Sequence, residues 1–258
     1  MLRAFSTAAT GMTAQQMIVD IIANNLANIN TTGFKRSQVD FQDLMYLKLQ
    51  EAGREVAAGV VAPSGFEIGS GVRPGSTVKV YTQGDPEKTE RLLDLAIQGE
   101  GFFQVTSPGG DIRYTRDGSF QTDASGNIVT SNGYGLGISL PAGTRSISIG
   151  PDGTVVAHTG SGDSSVGQIA LVRFLNPSGL SSEGGNLLAE TPASGSPTTG
   201  TPGQDGFGTV LQGFLERSNV QMVTELVNLI KAQRAYEINS RAIRAGDDML
   251  TTANQLVR

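Results

Sequence analysis

Bulky apolar residues recur every seven positions near both ends of the chain. The N-terminal column is Phe5, Met12, Val19 and Leu26; the C-terminal one is Met222, Leu229, Tyr236, Ile243, Leu250 and Val257. Seven residues make two turns of a slightly underwound helix, so each column lies along one side of a long helix that needs a partner. The two ends are therefore expected to meet. The neighbouring column, offset by three or four, is not apolar in the usual way: Leu2, Ala9, Gln16 and Ala23 at one end, Leu226, Gln233, Ser240, Asp247 and Asn254 at the other. A closed two-stranded coiled coil fills both columns with branched hydrophobes. A half-polar seam implies further neighbours and hence assembly.

The first helix is predicted from about Leu2 to Ile29, stopped by Asn30-Thr31-Thr32-Gly33, and the second from about Leu215 to Leu256, with no Pro and one Gly. At 1.5 Å per residue the second spans about 60 Å, the length of a rod-like stalk. Ser37 to Gly59 has no clear periodicity, and the stretch from Ala62 to Gly75 is punctuated by Gly and Pro, which reads as an extended connector. From Thr77 to about Phe174, β-branched and aromatic runs such as Phe102–Thr106 and Ile169–Phe174 alternate with turn pairs such as Asp117-Gly118, Ser125-Gly126 and Asn132-Gly133. That spacing predicts an antiparallel β body. Residues 190–206 are poor in apolar side chains and read as a loop.

The expected fold class is α+β: a discontinuous coiled-coil stalk from both termini (1–36 and 212–258), a connector (37–75) and a central antiparallel β-rich domain (76–211). Ordering the terminal helices costs about 1 to 2 kcal/mol of backbone entropy per residue. A half-open seam returns less than the 1.5 to 3 kcal/mol or so that each fully buried column residue would contribute. The ends of a free monomer are therefore expected to fray. The pairs Glu237/Arg241 and Arg244/Asp248 sit four apart on the helix, and each adds only about 0.2 to 0.5 kcal/mol.

Composition narrows the function. Nineteen basic against 24 acidic residues give a net charge of −5, which offers no pull toward nucleic acid or anionic membrane. No apolar run suits a cleavable signal or a membrane span. The absence of cysteine removes disulfides, zinc thiolates and thiol catalysis. His158 is the only histidine and lacks the neighbours of a metal cluster or a Ser-His-Asp triad. Gly99-Glu100-Gly101 lacks the third glycine and the helix of a dinucleotide fingerprint, and Asp123-Ala124-Ser125-Gly126-Asn127 lacks the carboxylates of an EF-hand. No catalytic, metal or cofactor site is expected.

The string Asn24-Asn25-Leu26-Ala27-Asn28-Ile29-Asn30-Thr31-Thr32-Gly33-Phe34-Lys35 is costly in a helix, because Asn competes for backbone groups. It resembles the N-terminal signature of bacterial flagellar rod and hook proteins. Ser218-Asn219-Val220 through Gln233-Arg234-Ala235-Tyr236-Glu237 to Leu250 resembles the C-terminal signature of the same family. Leu95 to Val105, Tyr114 to Phe120, Glu67 to Pro74 and Thr82 to Asp85 also match, most like the distal-rod branch.

The resemblance implies a non-catalytic subunit of a helical tube, a homo-oligomer whose paired terminal helices line the inside and whose β domain faces out. Such a tube is a drive shaft carrying motor torque to the hook and part of the protein export channel. It implies a basal-body location from periplasm to outer membrane, export by the flagellar type III apparatus, and as partners proximal rod proteins, hook protein, rod cap and the surrounding P and L ring proteins. In the family the segment here at about Tyr46 to Phe66 stiffens the shaft, although Ala57 to Val61 is more apolar than that pattern. Candidate interface residues are the two apolar columns together with Asn24, Asn25, Asn28, Gly33, Phe34, Gln233 and Arg234.

Three rival readings stay open at this stage. A β-bearing proximal rod protein or a hook protein would share the signatures. A secreted stalked adhesin would need exposed aromatic platforms, against no Trp and five Tyr. An enzyme on a β scaffold would need an acid–base cluster that the sequence does not offer.

Overall fold

A computed structural model describes every residue except 1, 52, 54, 58, 59, 62, 161, 257 and 258. The chain divides into two compact units, one of Met1–Leu26, Ser37–Val78 and Met222–Arg258, the other of Ala27–Arg36 and Lys79–Gln221. Residues 27–36 and 212–221, which the sequence groups with the stalk, thus cluster with the β body.

The first unit holds two long helices, α1 (Leu2–Ala27) and α2 (Met222–Leu256). They run antiparallel, since Phe5 lies against Gly246 and Gly11 against Asn239. A second neighbour of α1 is a ribbon formed by Ser37–Asp43 and Val72–Lys79. The Thr10 hydroxyl accepts the Val72 N–H at 3.4 Å, and Met17 and Ile21 border a hollow with Val39 and Pro74. The connector therefore contains paired strands: Leu47–Gln50 with Phe66–Ile68, and Glu55–Ala57 with Val60–Val61.

The predicted start of the second helix at Leu215 is corrected. Phe214–Glu216 is a strand paired with Pro86–Lys88, and the helix begins only at Met222. Glu216 is drawn out of helical register because its carboxylate is buried in the β body. At the other end α1 stops at Ala27, two residues early, where Asn28 to Thr31 already forms a turn.

The second unit is built on a nine-stranded antiparallel sheet. Its central strand, Phe102–Thr106, pairs with Ile112–Thr115, Gly135–Ser139 and Leu171–Arg173. Successive side chains of a strand point to opposite faces, and here both faces are covered. Phe103 and Val105, fully buried, pack with Leu95, Ile97, Phe120, Ile128 and Val155, whereas Phe102 packs on the other side with Tyr114, Val172 and Phe174. Edge-to-face ring pairs mark both clusters: Phe103 with Phe120 at 5.3 Å, and Tyr114 with Phe174 at 4.8 Å. Thr144–Ile149, Thr154–Thr159 and Gly162–Gln168 form a separate three-stranded sheet. Within the expected loop 190–206, Thr198–Gly200 is a short strand paired with Leu171–Arg173.

Candidate assembly site

The helix seam of the first unit is narrower than the heptads suggest. Its centre on α2 is Glu225, Ala232, Asn239 and Gly246, of which Glu225, Ala232 and Gly246 are buried and Asn239 half-buried. The second column thus lies three residues after the apolar one, not four, and Leu226 and Gln233 of the expected column are exposed. Small residues decide this. A Cβ on Gly246 would sit 2.7 Å from the Phe5 ring, and one on Gly11 would sit 2.9 Å from the Asn239 amide nitrogen. Deleting the side chain at those points lets the two backbones approach.

Of the expected interface residues, Phe5, Met12, Val19, Leu26, Leu229, Ile243 and Leu250 are half-buried along the flank of this seam. Tyr236 is 45% and Met222 51% exposed. Val257 lies outside the described residues. Val19, Tyr236 and Gln233 line a groove together with Gln15, Gln16 and Glu237, and exposed Arg234 reaches Glu237 at 3.3 Å. Val223, Leu226, Val227 and Ile230, which share a face over the first turns of α2, are all exposed, and one heptad on, that face carries Gln233, Arg234 and Glu237. The start of the helix therefore carries an exposed apolar patch besides its seam. Residues at i, i+3, i+4 and i+7 share a face, and an ordinary surface helix carries one such face.

Asn25 was expected to bond between copies, and its amide is instead used within the chain. It is 1% exposed, its Nδ2 donates to the Ser37 carbonyl, and its Oδ1 accepts the Ser37 N–H, both at 2.9 Å. A carboxamide matches one backbone N–H and one C=O at once, which explains an Asn at the end of α1. The Asn28 side chain accepts the Thr31 hydroxyl at 3.1 Å, and Asn24 is exposed.

In the second unit the Thr31–Lys35 turn is fastened to the β body by groups remote in sequence. Gly33 has φ +66°, and a Cβ there would lie 2.6 Å from the Arg116 carbonyl carbon, so only glycine fits. The Gly33 N–H donates to the Glu216 carbonyl at 2.8 Å, and the half-buried Phe34 supplies its carbonyl to the Asn219 N–H at 3.4 Å. Thr32 donates its hydroxyl to Asp117 at 2.8 Å. Asn186, at φ +61°, donates to both Thr32 and Asp117. Asn219 accepts the Arg36 N–H at 2.8 Å and donates to the Val80 carbonyl at 2.8 Å.

Beneath that turn lies a buried charge trio. Lys35 Nζ meets Glu216 Oε1 at 2.5 Å and donates to the Thr82 carbonyl at 2.7 Å. Arg116 meets the other Glu216 oxygen at 3.2 Å, donates to Gly99 O at 2.7 Å and stands over the Phe102 ring. Glu216 Oε1 also accepts the Gly84 N–H. Side-chain exposures are 3% for Lys35, 1% for Glu216 and 7% for Arg116. Burial pushes both cations below their ordinary pKa values, and the Glu216 carboxylate opposes it. Nothing local in the sequence marks Glu216, Arg116, Asn186 or Asn219 as members of one cluster.

Tyr81, edge-on to Phe102 at 5.5 Å, has its phenol pushed up from 10.0 to about 12, chiefly by burial, with Arg116 opposing. Between pH 10 and 12 the unfolded chain releases this proton while the folded chain keeps it, so stability falls as pH rises through that window. The loss specific to Tyr81 is about 2 to 3 kcal/mol at its upper end. Denaturant titrations of wild type and Tyr81→Phe at pH 10 and pH 12 check this. Equal losses in the two proteins would contradict it.

Among the described residues there is no group of three or more His, Asp or Glu placed to hold a metal, and no helix long and apolar enough to cross a membrane. His158 Nδ1 lies 2.6 Å from Asp163 on an exposed strand pair. What the described residues build are exposed surfaces and, within the second unit, a turn fastened to the β body.

Comparison with known proteins agrees with that emphasis. Residues 5–35 match the family model for the flagella basal body rod protein, 96–157 that for the flagellar hook protein FlgE/F/G D1 domain, and 211–256 that for the flagellar basal body rod FlgEFG protein C-terminal region. The chain is 49% identical over 252 residues to the flagellar basal-body rod protein FlgG of Buchnera aphidicola subsp. Schizaphis graminum, covering 96% of each. It is 46% identical to FlgG of Borreliella burgdorferi and 36% to FlgG of Bacillus subtilis, in each case over 100% of both chains.

Proposed function

The chain belongs to the FlgG family of flagellar basal-body rod proteins, and from that premise we propose how it works as a structural subunit of the distal rod in the flagellar basal body. Copies polymerise into a rigid helical tube that transmits motor torque to the hook and encloses part of the export path. The α1–α2 pair is the inner stalk, completed by coiled-coil packing between copies; the β-rich unit is the outer domain; the ribbons of residues 37–75 stiffen the junction. Assembly residues are the half-buried columns along the seam, together with Asn24, Asn28, Gln233 and Arg234. Proximal rod proteins, hook protein, rod cap, the P and L ring proteins and the type III export apparatus are the expected partners. No catalytic role is part of the proposal.

The observation that carries this reading is the exposed apolar patch at the start of α2. Val223, at 75% exposure, and Ile230, at 57%, have no reason to be apolar on an isolated stalk. Burying such side chains contributes about 1.5 to 3 kcal/mol each, and a neighbouring copy would supply that burial. Expressed in a motile bacterium lacking its own distal rod protein, the chain is expected to restore swimming and to be recovered in purified basal bodies. Soluble accumulation without incorporation would overturn the proposal.

A further inference from the structure

The heptad columns bring α1 and α2 together but do not fix how far along each other the helices lie. Phe5, Met12, Val19 and Leu26 on one helix and Met222, Leu229, Tyr236, Ile243 and Leu250 on the other repeat every seven residues. A slip of seven therefore sets column against column again. Helix pairs break this degeneracy with an exceptional residue at the seam, and here the exceptions are glycines. α1 contains one, Gly11, and α2 contains one, Gly246. Glycine weakens a helix interior, so each needs a reason at its position. Each lies under a side chain of the other helix. A Cβ on Gly246 would meet two carbons of the Phe5 ring, at 2.7 and 2.9 Å, and one on Gly11 would meet the Asn239 amide nitrogen at 2.9 Å and its carbon at 3.4 Å. Non-bonded carbons rest about 3.5 to 4.0 Å apart. Each helix thus supplies one knob and one notch.

We infer that the Phe5–Gly246 and Asn239–Gly11 pairs are the register key of α1 and α2, the residues that specify one axial alignment among those the heptads allow. A slip of seven residues one way puts Phe5 over Asn239 and Asn239 over Ala4; the other way it puts Phe5 over Ala253 and Asn239 over Ile18. In both cases a side chain enters the space that each knob takes in the true register. With a single glycine in each helix, one alignment satisfies both pairs. The key acts within one chain, and its consequence rests on the polymer reading above. Register decides which α1 residues stand beside which α2 residues on the surface that each copy presents, and identical copies repeat a contact only if they share that surface.

Helix propensity and the register key predict opposite signs at residue 246. Leucine is a far better helix former than glycine, so at an ordinary helix position Gly246→Leu raises helical content. The key predicts a loss in the full-length protein: lower helicity by circular dichroism and a critical concentration for polymerisation raised roughly tenfold or more. In a Phe5→Ala background the sign reverses, because the leucine fills the space that the ring vacates. The Phe5→Ala/Gly246→Leu protein is expected to be more helical, and to polymerise at a lower concentration, than Phe5→Ala alone. Gly11→Leu, with and without Asn239→Ala, reads the second pair in the same way. A gain from Gly246→Leu in the otherwise wild-type chain overturns the inference. So does an equal loss with and without Phe5, which would assign the glycine to a contact between copies. Wild-type protein that does not polymerise overturns the rod reading, and the reversal of sign in helicity then decides the key by itself.

Discussion

Replacing Glu216 by alanine is expected to destabilise the β body by about 3 to 5 kcal/mol, because it leaves Lys35 and Arg116 buried without their shared anion. For a unit of this size that lowers the melting temperature by about 6 to 20 °C. Lys35→Met should cost less, since Glu216 keeps Arg116 and the Gly84 N–H. A triple replacement of Lys35, Arg116 and Glu216 by apolar residues of similar volume should recover much of the loss, because desolvating an ion trio offsets most of its internal attraction. Thermal melts followed by circular dichroism distinguish these outcomes. A Glu216→Ala protein melting within about 2 °C of wild type, less than 1 kcal/mol by the same scaling, would show that the trio does not hold the turn to the β body.

Val19→Asp or Leu229→Asp is expected to abolish polymerisation while leaving the β body folded. Both side chains are half-buried on the seam of the first unit, and neither belongs to the apolar clusters of the second. Each substitution removes apolar burial and places a carboxylate against a helix partner, costing about 3 kcal/mol or more. That corresponds to a critical concentration raised roughly a hundredfold. Sedimentation of the polymer, with melting of the soluble fraction as the folding control, measures both halves. Polymer forming at the wild-type concentration would contradict the assignment of the seam.

The long elements were legible because their signals are local and repeated. The seven-residue columns placed α1 and α2, and the turn pairs placed the strands: Asn132-Gly133, for example, closes a turn with Gly133 at φ +81°. The centre of the seam was not legible. Offsets of three and four both keep a residue near a helix face, and the true inner column of Glu225, Ala232, Asn239 and Gly246 looks no more apolar than its rival. Space, not hydrophobicity, selects it, through Gly246 under Phe5 and Gly11 under Asn239.

The ribbon strands Ser37–Asp43, Leu47–Gln50 and Phe66–Ile68 escaped detection because they are largely solvent-facing. Ser37–Asp43 alternates between half-buried and exposed positions, but only Val39 and Phe41 are apolar, too few for a period of two to stand out. The fastened turn escaped for a different reason. Lys35 and Glu216 are 181 residues apart, and Arg116 is 100 from Glu216, so no window of sequence contains the trio. Leu215-Glu216-Arg217 fits a helix as well as a strand until the buried carboxylate decides. Asn25 shows the same limit on a small scale. Its polarity was legible, but its satisfaction by the Ser37 backbone depends on where the chain turns after α1.

On the proposed reading the two terminal helices, with apolar surface left over on α2, are completed only by other copies of the same chain. Electron microscopy of the purified protein under polymerising conditions tests it most directly. The expected result is straight tubes of uniform diameter with α1 and α2 packed around the axis and the β-rich unit outside. Persistent monomers, or closed dimers that cover the Val223–Ile230 patch without growing, would contradict it.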